Sequence, residues 1–146
     1  KSDDPTINAK RVQRLLLTWI SDEPAIYKKI KDYITPEDFT NDLYKRVSTK
    51  LFDDLSNGIV NPAYIVSMFD DEGEQAEVAA IFNSPLEQVE EKQEREKALH
   101  DLVCSIKRNS LDVLSTKPDM TREEMMRIFQ SKKDLEALKK IQFHLD

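Results

Sequence analysis

The chain has 146 residues and a net charge of −6, and only 2 of its residues are glycine, where ordinary usage would give about 10. Glycine supplies the positive-φ positions of hairpins, bulges and phosphate-cradling loops, so this scarcity argues against a β-rich fold and against a glycine-rich nucleotide loop. The acidity, with a sequence pI near 5.0, excludes the strongly basic surface that marks most nucleic-acid binders, and no direct contact with nucleic acid is expected.

The dominant period is helical. Asn8 is the expected cap of a first helix that carries Val12, Leu15, Leu16, Trp19 and Ile20 on one side. A second helix starts near Glu23-Pro24, where proline suits the first turn, and places Ile26, Ile30 and Ile34 at spacing four. Thr35-Pro36-Glu37-Asp38 reads as a cap, a first-turn proline and two acids at the positive end of a helix dipole. The next helix runs from Asn41 to Ser56 with Tyr44, Val47, Leu51 and Leu55 inward. Asn57-Gly58 does not mark a hairpin, because the preceding period is 3.6 and not 2, and Gly58 reads instead as a helix C′ residue. Asn61-Pro62 opens a short helix with Ile65, Met68 and Phe69, and a last short helix spans Glu72 to Phe82.

Ser84-Pro85-Leu86-Glu87 has the form of a capping box with proline at N1, and predicts a long helix reaching Leu114. Its stretch from Glu90 to Lys97 has no apolar residue and is expected to be solvated on all sides. The apolar face resumes at Leu99, Leu102, Val103, Ile106, Leu111 and Leu114. After the turn Thr116–Met120, Thr121 and Glu124 form a second capping box. In the final segment Met125, Ile128 and Phe129 point one way, and Leu135, Leu138, Ile141 and Leu145 nearly opposite. Either the helix breaks near Ser131, the preferred reading, or one helix buries two faces. The expected architecture is all-α: a five-helix bundle over residues 1–84, then a long connecting helix and a C-terminal helical hairpin over residues 85–146.

The search for chemistry returns little. His100 and His144 stand 44 positions apart with one cysteine, which does not meet the spacing of structural zinc. Cys104 falls beside Val103 and Ile106 and reads as a small core residue. A lone cysteine permits no intrachain disulfide and fits a reducing, cytoplasmic compartment. No apolar run approaches the ~18 residues of a membrane span. The acids Asp53-Asp54 and Asp70-Asp71-Glu72 miss the EF-hand frame and read as helix-capping groups. No cofactor, metal or nucleophile is nominated. The chain begins Lys1-Ser2 rather than with methionine, which points to a piece of a larger parent.

Four runs carry a resemblance: Arg14-Leu15-Leu16-Leu17-Thr18-Trp19-Ile20, Asp22-Glu23-Pro24-Ala25-Ile26-Tyr27, Tyr33-Ile34-Thr35-Pro36-Glu37-Asp38-Phe39 and Leu43-Tyr44-Lys45-Arg46-Val47. The pattern over residues 8–83 resembles the C-terminal helicase-binding domain of bacterial DNA primase, and residues 84–146 match it in expected architecture. The N-terminal oligomerisation domain of the replicative helicase is similar in fold and is the alternative. The primase resemblance implies a monomeric adaptor that docks primase on the N-terminal domain of the hexameric replicative helicase and modulates it during priming. It implies no catalysis and no cofactor in this piece, because the zinc ribbon and polymerase core of a primase lie elsewhere in the parent. The docking face expected from the surplus apolar surface comprises Leu135, Leu138, Ile141, Gln142 and Leu145. Burying each such aliphatic side chain is worth about 1.5–3 kcal/mol before association costs. The competing reading packs these leucines back on residues 99–114, with exposure expected to increase toward Leu145.

Overall fold

A computed structural model describes residues 5–86 and 91–145. These residues form seven α-helices and one 3₁₀ turn, without a strand among them. The helices are α1 (Pro5–Asp22), α2 (Ile26–Ile30), α3 (Asp42–Ser56), α4 (Pro62–Ser67), α5 (Glu72–Asn83), α6 (Lys92–Ser115) and α7 (Arg122–Lys140), and the 3₁₀ turn is Pro36–Asp38. The all-α class expected from glycine scarcity and helical period is the observed one.

Helix boundaries follow local chemistry. Asn41, Asn61, Asp71 and Thr121 each accept a hydrogen bond from the backbone N–H three residues on, at the starts of α3, α4, α5 and α7. Thr121 and Glu124 close a full capping box. Gly58 ends α3 at φ +71°; its N–H reaches Leu55 O and the Ile59 N–H reaches Asp54 O, the paired bonds of a Schellman motif. Other boundaries differ from expectation, among them α2, which covers only Ile26–Ile30 so that Ile34 lies beyond its end. Asn8 lies inside α1, which starts at Pro5, and accepts a hydrogen bond from Arg11. The Ser84–Glu87 box does not start α6: Ser84 is the C-cap of α5, Pro85 and Leu86 are non-helical, Glu87 lies outside the described residues, and the N-cap of α6 is Glu91. α7 runs unbroken through Ser131, whose side chain is buried instead of capping a new helix.

α6 lies against α1 and the 3₁₀ turn, and α7 lies against α6. One continuous apolar cluster joins Leu16, Leu17 and Ile20 of α1 to Leu99, Val103 and Ile106 of α6 and to Leu138, Phe143 and Leu145. The described residues on both sides of the expected boundary, which falls between α5 and α6, thus contribute to one apolar cluster. The charged start of α6 is also not wholly solvated. Arg95 pairs with both carboxylate oxygens of Glu23 at 2.6 and 2.7 Å, and the same Glu23 accepts the Trp19 indole N–H at 2.9 Å. Glu96 is buried. An apolar count misses this stripe, because its polar members at 96, 107 and 110 keep the same helical spacing as Leu99, Val103, Ile106 and Leu114.

Candidate partner-binding surface

The helical period of α7 settles which of its faces is free. Ser131 and Leu138 are buried, and Glu124, Arg127, Ile128, Asp134 and Leu135 are half-buried, a stripe at spacing three and four that faces inward. Of the expected docking residues, Leu138 is 0% exposed and Leu145 5%, Leu135 and Ile141 are half-buried against the core, and only Gln142 is exposed. Leu138 and Leu145 thus belong to the chain's own core. Leu138 is buried because it lies on the inward stripe of α7, and Leu145 because residues 141–145 are not helical: they form an extended strap that turns back along the start of α6. Phe143 meets the rings of Tyr33 and His100 edge-on or tilted, with centroids 6.1 and 5.8 Å away. The Leu145 N–H donates to the Glu96 carboxylate at 2.7 Å.

That bond, first, and the Gln142 amide hold the Glu96 carboxyl below its ordinary pKa, against the opposing effect of burial; Lys92 and His144 act in the same direction. A depressed carboxyl stabilises the folded state above the ordinary carboxylate range, and the contribution is lost as the pH falls through that range. Acid is therefore expected to undock the strap. The hydrogen-exchange protection factor of the Leu145 amide should fall between about pH 5 and pH 3. In Glu96→Gln it should start lower and stay flat; a flat profile in the unmodified chain would contradict the assignment.

The free face of α7 carries Met125, Met126 and Phe129, which are 47%, 63% and 67% exposed. Met125 and Phe129 stand one turn apart, with Met126 beside them, and Arg122, Lys132 and Lys133 are exposed on the same helix. Clustered large apolar side chains on a solvated surface mark an interaction site, and Phe, Met and Arg are enriched in such sites. Sequence period had already set Met125 and Phe129 apart from the leucines. What it lacked was the direction of α6, which decides the inward face.

The Thr35–Phe39 step, which reads as a helix start, is a junction. Asp38 is buried and accepts from Thr35 N–H at 3.0 Å and from Ser110 Oγ–H at 2.9 Å. Lys107 of α6 bridges Asp38 at 3.1 Å and Asp134 of α7 at 3.2 Å. Thr40 accepts from the side chains of Gln13 on α1 and Asn109 on α6, and Arg127 of α7 donates to the Glu37 carbonyl. Bundle, connecting helix and terminal helix meet at these few residues.

One arrangement has the parts of a nucleophile and base. Cys104 Sγ lies 3.8 Å from His100 Nδ1. Burial pushes the thiol pKa up, opposite to what an activated thiolate needs. His100 Nε2 lies 2.6 Å from the Leu138 carbonyl oxygen, so that nitrogen carries the proton and ties α6 to the end of α7. Tyr44 donates to Glu77 at 2.9 Å, and Glu77 also pairs with Lys10, a polar tie among α3, α5 and α1. Among the described residues no group of three or more His, Cys, Asp or Glu side chains is placed to hold a metal ion, and no helix is long and apolar enough to cross a membrane. Comparisons with protein-family models, with curated proteins and with solved structures return no match.

Proposed function

We propose that this chain is an adaptor domain that docks a larger parent protein on a hexameric replicative helicase, as the resemblance to the helicase-binding domain of bacterial DNA primase implies. The observation that carries the reading is the exposed Met125, Met126 and Phe129 face at the end of an all-α chain. The resemblance supplies the partner. On this reading the docking residues are these three, and Leu135, Leu138, Ile141 and Leu145 support the helix and strap behind them. The chain contributes affinity and allosteric modulation, while catalysis belongs to the parent, a DNA primase acting in the bacterial cytoplasm.

Burial of a Phe and two Met side chains in a partner groove supplies a few kcal/mol, and adjacent cations tune the association rate more than the affinity. Titration calorimetry with the hexameric helicase of the same organism should show saturable binding. Met126→Asp with Phe129→Asp should weaken it by about 100-fold or more, since a charge at the centre of an apolar contact costs several kcal/mol. Absence of binding by the unmodified chain would sink the proposal, and undiminished binding by the double variant would sink the face. The same face would also suit a self-associating helicase subunit. Sedimentation of the chain alone separates the two: a monomer supports the adaptor, and a stable dimer or trimer supports the alternative.

A further inference from the structure

A second apolar surface lies on the opposite end of the electrostatic scale. Ile59 and Val60, in the loop before α4, are 50% and 38% exposed, and Tyr64 and Met68 at the outer side of α4 are 53% and 46% exposed. Tyr64 and Met68 stand one helical turn apart, while Ile65 and Phe69 beside them fill the core. Four large apolar side chains within ten residues of chain remain in water although their neighbours are buried.

The charge around them is mainly negative. Between Lys50 and Lys92 the sequence has no lysine or arginine and ten carboxylates. Three of these have partners: Asp54 pairs with Lys50, Glu74 with Arg46 and Glu77 with Lys10. Asp53, Asp70, Asp71 and Glu72 are exposed and have no ion-pair partner among the described residues, although Asp71 also caps α5. Asp53 precedes the loop, and Asp70 to Glu72 follow Met68 after the buried Phe69, so acids bracket the apolar residues at both ends of this stretch of chain. Two cations of α3 lie nearby, and both are already paired: Lys50 lies over the Tyr64 ring at 5.2 Å and pairs with Asp54, and Arg46 lies over the Phe69 ring at 5.1 Å and pairs with Asp42 and Glu74.

We propose that this face is a docking site for a basic amphipathic helix of a partner protein. Two apolar side chains a turn apart, flanked by the loop pair Ile59 and Val60, match the ridge that an amphipathic helix presents at i, i+3 and i+4. Methionine adapts to the shape of such a ridge. The unpaired carboxylates select lysine and arginine at its edges and repel nucleic-acid phosphates and anionic lipid. The site is separate from the α7 face, whose exposed neighbours are mainly basic, and does not depend on the helicase reading.

The test uses the full chain, labelled for nuclear magnetic resonance, and an 18-residue amphipathic leucine–lysine peptide as probe. Binding at a dissociation constant of about 100 µM or tighter is expected, with shift changes concentrated at residues 53–72. The leucine–glutamate peptide of the same pattern should not bind. Tyr64→Ala with Met68→Ala, both exposed and dispensable to the core, should weaken binding about tenfold or more, and Asp53→Lys with Asp70→Lys should do so independently. Absence of binding, shift changes spread evenly over the acidic surface, or a loss smaller than tenfold in both double variants overturns the proposal.

Discussion

Replacing Lys107 with methionine should cost about 3–5 kcal/mol of stability and lower the melting temperature by about 10 °C or more. The substitution keeps the length and most of the volume of the side chain and removes only the charge. Lys107 is nearly enclosed, with its side chain 6% exposed, against 2% for Asp38 and 15% for Asp134. Without it, two carboxylates from different elements face each other across an interior that cannot hydrate them, and breaking a buried pair costs more than the pair ever contributed. Asp38 would keep the Thr35 N–H and Ser110 hydroxyl but lose its counter-charge. Adding Asp38→Asn and Asp134→Asn should recover at least half the loss, because the amides retain acceptor oxygens and carry no charge. Thermal and urea unfolding of the single and triple variants check this. A single variant that melts within about 3 °C of the parent would show that the junction is not a buried ionic contact.

Leu138 and Phe129 should separate stability from docking. Leu138 has no exposed surface, so Leu138→Ala should cost about 2–5 kcal/mol through lost contacts and a cavity, while the backbone carbonyl that accepts from His100 is retained. Leu138→Asp should cost more, because it buries an unpartnered charge. Phe129 is 67% exposed, and its truncation to alanine should change stability by less than about 0.5 kcal/mol. A loss of binding in Leu138→Asp would thus report damage to the fold, whereas a loss in Phe129→Ala would report a contact. Denaturant midpoints measured beside binding constants decide the matter. An unchanged midpoint for Leu138→Ala together with a lowered one for Phe129→Ala would mean that α7 packs by the opposite face.

The burial of Leu145 depends on the strap and not on helical period. A helix continued to the C-terminus would keep Ile141 and Leu145 in line with Leu138, on the face of α7 turned toward α6. The chain leaves helical geometry at Ile141, at φ −113° and ψ 163°, and returns to the start of α6, where Leu145 enters the core beside a buried carboxylate. Nothing local in Lys139-Lys140-Ile141 requires that exit; the groove and the Glu96 acceptor that reward it lie 40 or more positions earlier.

The all-α class, the short helices of the first 85 residues and the caps at Asn41, Asn61, Asp71, Thr121 and Gly58 are written locally in the sequence, because capping and helical period act over three or four neighbours. Asp53, Asp70 and their acidic neighbours are likewise plain in composition. Which apolar side chains are buried was decided only by tertiary packing. Asp38, Glu96 and Lys107 read as surface charges until an element many positions away supplies a partner and excludes water. The two apolar stripes of α7 look equivalent in sequence, and only the placement of α6 assigns Leu138 to the core and Phe129 to solvent. Period identifies faces; burial depends on what lies opposite them, and that is set by long-range contacts no local rule encodes.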